Sequence, residues 1–152
     1  MVKMTISFTK LDFSFSVHST ENFDKNMIAI ANLIPDEIIK DTKITVEELE
    51  GGYDNPIQYV FIEIRKPNEI EKIIENLARK LTQEQKNQLN NEFEKRFDFD
   101  GKTFFLRIEK EAIFKNKLDI ATSDNVIKIA IKMVSYIKNV DFKEFLKEKG
   151  IL

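Results

Sequence analysis

Three stretches of this chain alternate strictly between apolar and polar side chains, and that period confines them to half-buried β-strands. In the first, Leu11, Phe13, Phe15 and Val17 alternate with Asp12, Ser14, Ser16 and His18. In the second, Phe104, Leu106 and Ile108 alternate with Thr103, Phe105, Arg107 and Glu109. In the third, Ile127, Ile129, Ile131 and Met133 alternate with Lys128, Ala130, Lys132 and Val134. Successive side chains of a strand leave opposite faces, so each segment buries one row and leaves the other to water or a partner. Ile6 and Phe8 carry the opposite phase to Leu11, which predicts a bulge near Thr9 or Lys10.

The intervening segments read as helices and a hairpin. Thr20 is a suitable N-cap for a helix carrying Phe23, Met27, Ile30, Ala31 and Ile34, stopped by Pro35. Residues 43–50 and 57–65 read as strands around a turn-forming loop from Gly51 to Pro56, and so as a hairpin. After Pro67, Ile70, Ile73, Ile74, Leu77, Ala78 and Leu81 make the broad apolar stripe of a helix lying on a sheet. Thr82 and Gln85 have capping-box spacing, opening a helix with a narrow stripe of Leu89, Phe93 and Phe97. A short strand is expected near Lys117 to Ala121, then a turn at Thr122 to Asn125. Asp141 and Glu144 cap a last helix carrying Phe142, Phe145 and Leu146, and Gly150 ends it. The order β-α-β-β-α-α-β-β-β-α predicts an α+β fold, a mostly antiparallel sheet with helices packed on one face.

At 152 residues, with no linker, repeat or low-complexity tract, the chain is expected to form a single α+β domain over 1–152. With no cysteine, disulfides and thiolate metal sites are impossible. That absence, together with the lack of a secretory signal or an apolar run of spanning length, gives the cytoplasm as the expected location and no membrane partner. The net charge of −2 is not that of a generic polyanion binder, but it is unevenly spread. Residues 1–101 carry 13 Lys and Arg against 19 Asp and Glu, whereas residues 102–152 carry 11 against 7. An anionic partner should therefore meet the C-terminal third.

Motifs for chemistry are sparse. His18 is the only histidine, and Glu21 beside it would make an acid–base pair, but no third orienting group accompanies them. The sequence is read as non-catalytic, without metal or cofactor. Asp98-Phe99-Asp100-Gly101 matches half of a calcium loop but lacks its closing glutamate, and is read as a turn. Glu47, Glu48, Glu50 and Asp54 read as a solvated acidic edge. The polar strand faces are more informative, because Ser14, Ser16 and His18 share an outward phase with Phe105, Arg107, Lys128 and Lys132. Cations interleaved with an aromatic on a sheet face can hold phosphates while a base stacks.

Short motifs in a fixed order carry a family resemblance across roughly residues 5–137. They are His18-Ser19-Thr20-Glu21, Glu50-Gly51-Gly52-Tyr53-Asp54-Asn55-Pro56-Ile57, Leu106-Arg107-Ile108-Glu109-Lys110-Glu111-Ala112 and Asp124-Asn125-Val126-Ile127-Lys128-Ile129. The set resembles an archaeal family of RNA-binding proteins or predicted exosome subunits, whose fold is similar to the ribosomal large-subunit protein that binds five-S RNA. The first family motif usually reads His-Ala-Thr-Glu and the hairpin Glu-Gly-His-x-Gly-Asn-Pro. Here Ser19 replaces the alanine, Gly52 the histidine and Asp54 the second glycine.

The resemblance implies a non-catalytic, ribosomal-protein-like RNA-binding protein, accessory to RNA processing or an exosome-type complex. Arg107, Lys110, Lys128 and Lys132 are expected on phosphate, Phe105 or Tyr53 in stacking, and His18 and Asn55 in hydrogen bonds to RNA. The alternative is a protein-interaction or assembly module, a homodimer in which an open sheet face or edge pairs with another chain.

Overall fold

The computed structural model describes residues 5–50 and 56–152. Along the chain lie β1 (Ile6–His18), α1 (Phe23–Ala31), α2 (Asp36–Ile39), β2 (Ile44–Glu50), β3 (Pro56–Ile64), α3 (Pro67–Lys80), α4 (Gln83–Asn91), α5 (Phe93–Arg96), β4 (Phe97–Asp98), β5 (Thr103–Glu109), α6 (Lys110–Phe114), β6 (Val126–Ser135) and α7 (Phe142–Glu148). Among the described residues the strands form one antiparallel sheet in the order β2-β3-β1-β6-β5-β4. The expected α+β fold, with its antiparallel sheet and helices, is what the chain adopts. No helix of the described residues is long and apolar enough to cross a membrane.

The period-two pattern sets the sheet's two faces. Leu11, Phe13, Phe15 and Val17 of β1 are buried, as are Val60, Ile62 and Ile64 of β3, Phe104, Leu106 and Ile108 of β5, and Ile127, Ile129, Ile131 and Met133 of β6. Onto this face α3 lays Ile70, Ile73, Ile74 and Leu77, with Ala29 and Ile30 of α1 and Phe145 and Leu146 of α7 in the same core. Each large apolar side chain so buried contributes about 1.5–3 kcal/mol. The register shift between Phe8 and Lys10 is the expected bulge, and it returns Ile6 and Phe8 to the buried side.

Local signals fix most element ends. Thr82 Oγ1 accepts from Gln85 N–H at 3.1 Å and Gln85 Oε1 from Thr82 N–H at 2.9 Å, the reciprocal capping box the spacing predicts. Asp141 accepts from Glu144 N–H at 3.0 Å, and after α7 Gly150 takes φ of +85°, which an L side chain rarely adopts. Asn76 reaches from α3 to the carbonyls of Asn32 and Leu33 at the end of α1, and Asn32 in turn donates to Ile113 O at 2.8 Å.

Three expectations are corrected. The N-cap of α1 is Asn22, whose side chain accepts from the N–H groups of Asp24 and Lys25; residues 18–21 form a turn closed by Glu21 N–H on His18 O, so Thr20 lies two residues too early. Phe97 is not on a helix: the helical run breaks at Glu92 and Phe97 begins β4, still stacked on Phe93 at 4.9 Å. The run from Lys117 to Ala121 is no strand, making only an isolated bridge between Ile120 and Ile108, although Asp119 O and Ala121 N–H bond β5 and cover its edge.

Phe13 is fully buried at the centre of the sheet. We expect Phe13→Ala to cost about 3–5 kcal/mol in urea unfolding, and an unchanged midpoint would contradict this placement.

Candidate nucleic-acid interface

The outward phase of the strands forms a surface on which side chains are exposed or half-buried. Cross-strand pairing arranges it in rows. Thr45 of β2 faces Phe61 of β3, Phe61 faces Ser14 of β1, Ser14 faces Lys128 of β6, and Lys128 faces Arg107 of β5. With strands about 4.8 Å apart, this single row spans roughly 15 Å from the Phe61 ring to the guanidinium side. The next row holds Glu63, Asp12, Ala130 and Phe105, and the one beyond it Lys10, Lys132 and Thr103. In the other direction lie Glu47, Tyr59 and Ser16, then Leu49, Ile57 and His18.

The face is therefore divided. One half is aromatic, with Tyr59 and Phe61 in contact at 4.6 Å between ring centroids and Phe61 about two-fifths exposed. The other half is cationic, with Arg107, Lys128 and Lys132 all exposed and Phe105 among them. Ser14 and Ser16 of β1 form a low floor between the halves, and beside it a depression of about 420 Å³ is lined by Ser14, Thr45 and Phe61 among others.

Charge pairing differs sharply between the two sides of this face. Lys10 is satisfied by Asp12 at 3.3 Å and Glu63 at 3.7 Å, and Arg65 holds Glu63 at 2.7 Å. Arg107, Lys128 and Lys132 have no ion-pair partner among the described residues. Glu109 shares the phase of Arg107 but is committed elsewhere. Its Oε1 accepts from Thr122 N–H at 2.7 Å and Ser123 N–H at 2.9 Å, and its Oε2 from Ser123 Oγ at 2.7 Å. The Ser123 hydroxyl and the Thr122 N–H hold its carboxyl below the ordinary range. Like charges directly opposite on a sheet destabilise it, so the Arg107–Lys128 pair is a local cost that an anion would relieve.

Lys110 corrects the sequence reading. It was expected on phosphate, but its side chain is buried on the other side of β1, with Nζ donating to Ser16 O at 2.8 Å, Glu21 Oε2 at 2.8 Å and Asn26 Oδ1 at 3.0 Å. The Phe15 ring lies 5.9 Å from the ammonium. All three donors are used, as a buried ammonium requires. The first turn of α6 begins at Lys110, which is why the alternation that exposes Arg107 and Lys128 does not extend to it. Glu21 cannot serve His18 as an acid–base partner either, because its Oε1 accepts the His18 backbone N–H at 3.1 Å and its Oε2 takes Lys110. Burial alone would raise the Glu21 carboxyl, but the Lys110 and His18 hydrogen bonds and the Lys110 charge outweigh it and the net direction is down.

His18 is exposed at the end of β1, opposite Ile57, on the same face as Ser14 and Ser16. Tyr53 and Asn55 lie outside the described residues, as do all of residues 51–55. The structure thus brings Phe105, Arg107, Lys128 and Lys132 together, with His18 at a far corner. It also adds Tyr59 and Phe61, which sequence reasoning missed. Their signal was present: in β3 the aromatics Tyr59 and Phe61 share a phase opposite to the aliphatic Val60, Ile62 and Ile64.

Helices behind an antiparallel sheet whose other face carries exposed aromatics and cations without ion-pair partners among the described residues define an α+β protein with an open sheet face. Residues 10–133 match the model of the family described as RNA binding, and the chain belongs to that family. It is 33% identical over 121 residues to an RNA-binding protein of Pyrococcus abyssi, covering 79% of this chain and 78% of that protein. A crystal structure from Archaeoglobus fulgidus superposes with a TM-score of 0.78 at 27% identity, over 94% of this chain and 99% of that one. A protein of Methanothermobacter thermautotrophicus, at a TM-score of 0.70, 20% identity and 93% coverage of both chains, shares the fold.

Removing Lys110 takes the donor from the Ser16 carbonyl, the buried Asn26 Oδ1 and the half-buried Glu21 carboxylate, so Lys110→Met should cost about 1–3 kcal/mol in urea unfolding. The lowered Glu21 carboxyl contributes stability that is present above its ordinary value of 4.5 and is lost as pH falls through the folded value below it. Glu21→Gln should therefore lower stability at neutral pH and flatten the acid limb of the stability profile; an acid limb identical to the parent protein's would show that this carboxylate is not what titrates.

Proposed function

We propose that the protein is a non-catalytic binder of single-stranded RNA that uses the open sheet face. The observation that carries this reading is the row Phe61–Ser14–Lys128–Arg107, in which two adjacent cations without carboxylate partners lie across a serine floor from an aromatic ring. Lys128, Arg107 and Lys132 take phosphates, Phe61, Tyr59 and Phe105 offer ring surface to bases, and Ser14, Ser16 and His18 supply hydrogen bonds. Stacking on exposed rings is tolerant of base identity, and single-strand channels join such rings to a cationic track. The family's description and the name of the Pyrococcus abyssi relative support the RNA assignment.

The place we propose for it is in the cytoplasm beside an RNA-degrading machine of the exosome type, as an accessory that handles RNA without cutting it. Support for this finer role, and for a likeness to the five-S-RNA-binding ribosomal protein, comes from the ordered motif set alone. Purification from native cells that recovers RNA but no subunit of such a machine would remove the exosome role and leave the RNA role standing.

A second reading, an assembly module, draws on β2. This strand ends the sheet, and Val46 and Leu49 on it are exposed. Its Glu47 and Glu48 place like charges along the edge, so self-pairing there meets repulsion. A size-exclusion mass of one chain without nucleic acid would dismiss the homodimer.

Three phosphate contacts on a single strand make log affinity fall with log salt at a slope of about −0.7 each. Reversing Arg107, Lys128 and Lys132 to Glu should weaken binding at least tenfold and flatten that slope by about two. Affinity that ignores both salt and this reversal would end the proposal.

A further inference from the structure

Beyond the far end of the open face lies a cleft of about 590 Å³ between the β4–β5 turn and the β6–α7 loop, a volume within the range of small-ligand sites. It combines two kinds of group. Tyr136 is 91% exposed and Phe99 63% exposed, with Ile137 beside them. Lys102, Lys138 and Lys143 line the same space against one acid, Asp141, whose carboxylate already caps α7. Neither Lys102 nor Lys138 has an ion-pair partner among the described residues.

The walls are built rather than loose. Phe99 stands nearly perpendicular to Phe97 at 4.8 Å and to Phe93 at 6.2 Å, anchored on one side and open on the rest. The turn beneath it closes through Asp98 Oδ1 accepting Asp100 N–H at 3.1 Å and Thr103 Oγ1 donating to Gly101 O at 2.9 Å. A Cβ at Gly101 would come within 2.6 Å of Asp98 Oδ2, so a larger residue there would have to displace the Asp98 carboxylate that closes the turn. Across the cleft, Ser135 Oγ accepts from Ile137 N–H and donates to Ile137 O, which holds Tyr136 outward. Lys102 and Asn139, one on each lip, both adopt positive φ, 51° and 61°. A lysine in the left-handed region is locally strained, and such strain gathers at binding sites.

The cleft adjoins the end of the sheet. Lys132 and Val134 share the outward phase of β6, and Tyr136 follows immediately after the strand ends at Ser135. Thr103, opposite Lys132, adjoins Lys102. Resting on the single-strand reading above, we propose that this cleft seats one further nucleotide of the same RNA, its base against Tyr136 and Phe99 and its phosphate on Lys102 and Lys138. Exposed rings beside unpaired cations select a ligand that is at once flat, aromatic and anionic, which an inorganic anion or an acidic peptide is not.

Three measurements on the full chain test it. In an NMR titration, AMP should shift the Tyr136 and Phe99 ring signals, and ribose 5-phosphate, which lacks the base, should shift them far less. With oligouridylates, affinity should rise when the strand is lengthened enough to leave the sheet face and reach the cleft. Tyr136→Ala, at a side chain with no packing to lose, should cancel about 5–30-fold of that gain while keeping short-strand affinity, and Tyr136→Phe should retain it. Reversing Arg107 and Lys128 to Glu should abolish short-strand binding yet leave the AMP shifts in place, so failure of the face and failure of the cleft read out separately. Absence of AMP shifts at Tyr136, or length-dependent affinity unchanged in Tyr136→Ala, would overturn the proposal.

Discussion

β1 is paired on both sides, to β3 and to β6, and a strand held that way has no freedom to choose which of its side chains meet the helices. A slip of one residue against either neighbour would bring Ser14 into the core and push Phe13 into water. The cost of that exchange fixes the register, and the register in turn fixes every row of the outer face. Phe61, Ser14, Lys128 and Arg107 come from four segments far apart in sequence, yet they line up because Phe13, Ile62, Ile129 and Leu106 do so beneath them. The open face is in this sense the reverse side of the core.

The same side-chain chemistry is spent in opposite ways on the two sides of that sheet. Beneath it, the Lys110 ammonium is surrounded by a carboxylate, an amide oxygen and a backbone carbonyl, and it ties the end of β1 to α1 and to the start of α6. Above it, Lys128 and Arg107 stand side by side with no ion-pair partner among the described residues, and Glu109, in phase with Arg107 on β5, is turned to the 122–123 loop. A buried cation must be fully paired to be tolerated, whereas an exposed one left unpaired costs little and remains available to an anion. Glu21 and Lys110 in these two motifs thus brace the scaffold, while His18 and Arg107, each three residues before one of them, are exposed on the open face.

Tyr59 and Phe61 lie on one side of β1 and Arg107, Lys128 and Lys132, with Phe105 among them, on the other, and the low serine floor between them leaves room for a chain lying across β1. The cleft with Tyr136 and Phe99 repeats the pairing of rings and lysines at the end of the sheet. The acidic first two-thirds of the chain puts Glu47 and Glu48 on the β2 edge, so the surface potential favours entry from the β5–β6 side.

Much of this was legible in order along the chain. The alternations 11–18, 103–109 and 126–134, the bulge before Lys10, the capping box at Thr82 and Gln85 and the stop at Gly150 are short-range patterns, and short-range physics decides them. The sequence by itself therefore determined the α+β class, the antiparallel strands and the shared phase of Arg107, Lys128 and Lys132. It did not show that Lys110 is buried, that Tyr59 and Phe61 flank the serine floor, or that Phe99 and Tyr136 line one cleft. Those outcomes depend on which strands become neighbours and where a helix such as α6 interrupts a strand's phase, and only the packing of residues distant in sequence settles such matters.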